Sequence, residues 1–105
     1  MDKAKEDRLA AAGWRSGDAA DFLELSEEEA AFVELKLALA AYLRELRIRN
    51  SWTQSQVARR LGSSQSRVAK MEAADTSVSV DLLVKSLLTL WASRSDVGGV
   101  IARAA

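Results

Sequence analysis

The chain has 105 residues, 49% of them apolar and 29% charged, which suits one domain with a buried core and excludes a wholly disordered chain. It has no Cys and no His, so disulfides, thiol or imidazole catalysis and the usual zinc sites are excluded. Fifteen basic and fifteen acidic residues give a formal net charge of zero, and the lack of Pro and scarcity of β-branched residues favour helix over sheet.

From residue 4 to residue 12 the composition favours a helix, which Gly13 can stop. Trp14 to Gly17 reads as a loop, and Asp18 can cap a short turn over residues 19–23. Ser26-Glu27-Glu28-Glu29 is an S-x-x-E capping box with three acids at the positive end of a helix. A long helix is predicted from Glu27 to Arg49. Phe32, Leu35, Leu39, Tyr42, Leu43 and Leu46 lie on one face of it. Val33, Leu37, Ala40 and Ala41 widen the stripe, so cover on more than one side is expected. The longest apolar run, residues 37–43, is far short of the ~20 residues that span a bilayer. The N-terminus has no apolar h-region, and the chain is expected to be soluble and cytoplasmic.

Asn50-Ser51-Trp52 breaks the pattern. Thr53-Gln54-Ser55-Gln56 is a second capping box and opens a short helix through Leu61, which Gly62 ends. Ser64 caps a third helix over residues 65–73, and residues 74–78 read as a loop. Ser79 caps a fourth helix with Val80, Leu83, Val84, Leu87, Leu88 and Trp91 at core-facing spacing. Ser93 or Ser95 caps a last helix carrying Val97, Val100 and Ile101, weakened by Gly98 and Gly99. Trp14, Trp52 and Trp91 read as core or interface anchors, with Trp14 a candidate exposed hot spot.

The neutral total conceals a segregation of charge. Residues 1–43 hold ten acids against five bases, residues 44–72 hold seven bases against two acids, and residues 73–105 hold three of each. A basic block in mid-chain points to an anionic partner. Within that block, residues 53–72 satisfy the demands of a helix-turn-helix. Ala58 is small where two helices would cross. Gly62 tolerates the turn, and Val68 is a branched residue that would lock the pair. Val57, Leu61 and Met71 fill the other inward positions. Gln65, Ser66, Arg67 and Lys70 would then face outward. Gln pairs with adenine edges and Arg with guanine edges, each worth ~1–3 kcal/mol of discrimination.

The stretch TQSQVARRLGSSQSRVAKMEA resembles the helix-turn-helix of the XRE/Cro/C1 repressor class, whose usual form is T-Q-x-x-L-A-x-x-L-G-x-S-Q-S-x-V-S-x-x-E. The preceding GWRSGDAADFLELSEEEAAFVELKLALAAYLRELR is similar to the N-terminal arm of HigA-like antitoxins. The resemblance implies an all-α, lambda-repressor-like domain of five or six helices with an N-terminal helical arm. Residues 1–25 would be the acidic, partly helical arm, and residues 26–105 the DNA-binding domain. It implies base readout by Gln65, Ser66, Arg67 and Lys70, phosphate contacts by Gln54, and a structural ion pair between Arg47 and Glu72. Ser64 and Arg59 are further phosphate candidates. Trp14 and Phe22 are candidate contacts for a toxin. Trp52 replaces a smaller apolar residue of the family pattern, Val57 replaces Leu, and the loop after Glu72 lacks the common Asn-Gly.

The expected function is sequence-specific transcriptional regulation by a homodimer on a palindromic operator. As a HigA-like antitoxin it would repress its own operon and neutralise a RelE-like toxin. A stand-alone XRE-family repressor, or an interaction module that has lost DNA binding, remain the alternatives. No catalytic set, metal site or cofactor is expected.

Overall fold

The computed structural model describes residues 26–104. They form five helices: α1 (Glu27–Arg49), α2 (Gln54–Leu61), α3 (Gln65–Glu72), α4 (Val80–Thr89) and α5 (Arg94–Arg103). There is no strand among the described residues. The expectations for the helix over residues 4–12, the Asp18 cap, and the roles of Trp14 and Phe22 lie outside them.

Each helix begins at a side-chain cap read from the sequence. The Ser26 hydroxyl accepts from the Glu29 N–H at 3.2 Å, and Thr53 accepts from Gln56 N–H at 3.0 Å. Ser64 and Ser79 accept from the amides of Arg67 and Leu82. Of the two candidates for the last helix, Ser93 is the cap, and its capping-box partner is Asp96. These bonds satisfy amide donors that have no partner inside the helix.

Helix ends are less orthodox. Ser63 N–H bonds to Ala58 O at 2.8 Å around Gly62, whose φ of 64° is the left-handed conformation of a Schellman stop. The same six-to-one bond recurs three more times: Trp52 to Arg47, Asp75 to Lys70, and Ala92 to Leu87. The left-handed residues there are Ser51 (φ 57°), Ala74 (φ 52°) and Trp91 (φ 74°). Each carries a Cβ that disfavours this region.

From Glu34 onward the chain is one compact unit. Its core is Leu39 and Leu43 of α1, Val57 of α2, Val68 and Met71 of α3, Leu83 and Leu87 of α4, and Val97 and Val100 of α5. Val78, expected in a loop, is also buried and belongs to the core. The apolar stripe of α1 is narrower than its sequence suggests. Leu39, Ala40, Leu43 and Leu46 are buried, whereas Leu37 and Ala41 are exposed. Trp91 requires a larger correction. The helix ends at Thr89, so Trp91 leaves the helical spacing and is 77% exposed, while Leu90 and Ala92 turn inward.

Candidate nucleic-acid interface

Helices α2 and α3 meet through the tight turn at Gly62. Ala58 is buried on α2, and Val68 and Met71 are buried on α3. Val57 completes the contact, with Leu61 half-buried beside it. The small methyl of Ala58 leaves room for α3 to approach α2 closely. A Cβ at Gly62 would meet nothing within 4 Å, so backbone conformation rather than space is what glycine supplies there.

Burial of Val68 and Met71 fixes the rotation of α3. Gln65, Ser66, Arg67 and Lys70 are then all exposed. They do not form one patch. Ser66 and Lys70 lie on the outermost line of the helix, roughly opposite Val68 at ~100° per residue. Gln65 leans toward α2. Arg67 lies on the other edge, where it lines a narrow crevice of about 160 Å³ with Ser63, Lys85 and Thr89.

Behind the exposed face runs a chain of polar contacts. Gln65 Nε2 donates to Gln54 Oε1 at 2.6 Å, and Gln54 Nε2 donates to Glu72 Oε1 at 3.2 Å. Arg47 grips the Glu72 carboxylate through Nε at 2.6 Å and Nη2 at 3.0 Å. Its Nη1 donates to the Trp52 carbonyl at 3.2 Å. The Arg47 and Glu72 side chains are only 16% and 5% exposed. The hydrogen bond to Glu72 raises the Arg47 pKa above its already high value. This bidentate clamp ties α1 to the end of α3, and Gln54 links it to the start of α3.

Gln54 and Gln65 share a sequence signal: each is the first residue of a helix, directly after a Thr or Ser cap. Their mutual contact needs the angle between α2 and α3 and was not legible from spacing. Lys36 was also unforeseen. Its Nζ donates to the Asp75 carbonyl at 2.9 Å, which fastens the loop after α3 to α1. Asp75 turns its carboxylate back on Ser77, whose hydroxyl and amide hold the Asp75 pKa below the usual carboxylate range. Ser64 is exposed at the cap. Arg59 is not part of this arrangement and lines a separate depression with Gln56 and Arg60.

Two short capped helices, a glycine turn, a small residue at the crossing and a polar outer helix are the parts of one architecture. A family model described as a helix-turn-helix domain matches residues 38–95, more than half of the chain. The chain belongs to the helix-turn-helix domain family. No curated protein and no solved structure matches it. DNA-binding helix-turn-helix domains place their second helix in the major groove, and the second helix of the motif here is α3. The α2–α3 pair and the amide chain behind it lie wholly inside the matched residues. Among the described residues no helix is long and apolar enough to cross a membrane.

Proposed function

We propose that this helix-turn-helix domain is a sequence-specific transcriptional regulator that reads a palindromic operator as a homodimer. The observation that carries the reading is the exposed Gln65, Ser66 and Lys70 surface of α3, backed by the Gln65–Gln54–Glu72–Arg47 chain. A long polar side chain that is already oriented loses less freedom when it meets a base edge. Gln65, Ser66 and Lys70 are assigned to base readout, with Arg67 at the edge of the groove. Gln54 and Ser64, at two neighbouring helix N-termini, are assigned to phosphates. Free amides and the helix dipole favour an anion there.

Within that function we place the chain as a HigA-like antitoxin that represses its own operon and neutralises a RelE-like toxin. The excess of acids in residues 1–43 suits a basic toxin, and Trp14 and Phe22 are the assigned contacts. A stand-alone repressor would use the same DNA surface and lack the toxin.

The test is a footprint of the full chain on the DNA upstream of its own gene, with and without the product of the neighbouring gene. Protection of two half-sites about one helical turn (~34 Å) apart is expected. Arg67→Ala should weaken binding and relax base preference at one position while leaving the fold intact. Failure to protect any upstream sequence at physiological salt would remove the regulatory reading. Protection unaffected by the neighbouring product, with no complex between the two, would leave the stand-alone repressor.

A further inference from the structure

One side-chain cluster extends away from the α3 surface, beginning at Trp52, which shares a depression with Gln54 and Gln65. The Trp52 and Trp91 rings meet edge to face, with centroids 6.3 Å apart and planes at 65°. The Arg60 guanidinium lies over both, 4.4 Å from the Trp52 centroid and 5.4 Å from that of Trp91. Trp52 is half-buried against the core, but Trp91 is 77% exposed. The backbone at Trp91 asks only for a left-handed residue, which glycine supplies without strain. Neither the core nor the helix stop therefore accounts for an indole at this position.

The chemistry of the cluster is that of a docking site. The guanidinium is held beside the two rings, and its N–H donors can still meet a carboxylate in a two-bond geometry. Arg59, Arg60 and Gln56 line an adjoining depression, and among the described residues neither Arg pairs with a carboxylate. Trp and Arg are the side chains enriched where protein partners bind most strongly. Orientation separates the cluster from DNA read by α3. Arg60 follows Ala58 by two positions, ~160° around α2 from the residue buried at the α3 crossing.

We infer that the Trp52–Arg60–Trp91 patch docks an acidic segment of a partner protein. A partner carboxylate pairs with Arg60, and a neighbouring apolar side chain rests on Trp91. The inference is independent of the DNA reading.

The probe is a dye-labelled synthetic peptide, Glu-Phe-Glu-Glu-Leu-Asp, titrated with the full chain and followed by fluorescence anisotropy. The control peptide carries Lys at every acidic position. Saturable binding of the acidic peptide alone is expected. Arg60→Gln and Trp91→Gly should each weaken it by about tenfold or more, the size of a lost anchor at an interface. Trp91→Gly should melt no lower than the parent chain, because it relieves the left-handed strain. Equal binding by the parent and both variants would overturn the proposal, as would equal binding of the lysine peptide or none of the acidic one. A lower melting temperature for Trp91→Gly would make the indole a part of the fold instead. Loss of duplex DNA affinity in both variants would give Arg60 a phosphate in place of a carboxylate.

Discussion

Replacing Glu72 by Ala removes the acceptor on which three donors converge. Arg47 loses its bonds at 2.6 and 3.0 Å, and Gln54 loses its bond at 3.2 Å. A buried ion pair broken from one side typically costs about 3–5 kcal/mol, because the remaining charge is stranded away from water. Arg47 is less stranded than that limit, since it keeps the Trp52 carbonyl and its side chain is 16% exposed. The expected loss is therefore the lower end, about 3 kcal/mol. For a domain of this size that lowers the melting temperature by about 10–20 °C. Arg47→Met should cost about as much, because it leaves the almost buried Glu72 carboxyl without its partner. The double variant Arg47→Met with Glu72→Leu strands no charge and should lie within about 1 kcal/mol of the parent chain. Urea titrations of the parent chain, Glu72→Leu, Arg47→Met and the double variant close the cycle and give the coupling free energy directly. A coupling below about 0.5 kcal/mol would mean that the pair is effectively solvated, and the reasoning fails.

The other predictions concern the helix ends. Gly62→Ala should cost about 1 kcal/mol, from φ alone, because its Cβ meets open space. Ala74→Gly, the mirror-image exchange at the end of α3, should leave stability unchanged or raise it by up to about 1 kcal/mol. Thermal melts of both variants check this, and a change of the same sign in the two would contradict it. Ser64→Ala removes the acceptor for Arg67 N–H and should cost about 1 kcal/mol, with amide exchange accelerated in the first turn of α3. Asp96 accepts from the Ser93 amide, which, with the Ser93 hydroxyl, depresses its pKa. Its contribution is present above the ordinary carboxyl range and is lost as pH falls through the lower folded value. Asp96→Ala should thus melt below the parent chain at neutral pH, and the gap should narrow as pH falls below the ordinary carboxyl range.

Much of this fold could be read from the sequence because helix starts are written in local side chains. Ser26, Thr53, Ser64 and Ser79 each cap a helix at the position their spacing indicates. The Ala58, Gly62 and Val68 spacing likewise gave the turn and the rotation of α3, and with it the exposure of Gln65, Ser66 and Lys70. Helix stops were harder. Only Gly62 announces one, whereas Ser51, Ala74 and Trp91 take the same conformation without the residue that favours it. That is why Trp91 keeps the core spacing of α4 in the sequence and yet lies outside the helix. The Gln54–Gln65 contact and the Arg60 stack depend on inter-helix angles, which no local pattern encodes.

The row of bonds behind α3 also has a direction. A carboxylate can only accept, so Glu72 obliges Gln54 to present its amide nitrogen. Gln54 is then left with its carbonyl for Gln65, which must answer with nitrogen in turn. The carboxylate that Arg47 clamps thus dictates, two links away, which end of the Gln65 amide is committed inward. What Gln65 still offers outward is a carbonyl oxygen and one N–H, side by side. Adenine shows the complementary pair on its major-groove edge, an amino donor beside the N7 acceptor. Glu72→Gln, which puts a donor beside the acceptor, would lift that constraint and let the Gln65 amide turn over, although the two side chains never touch.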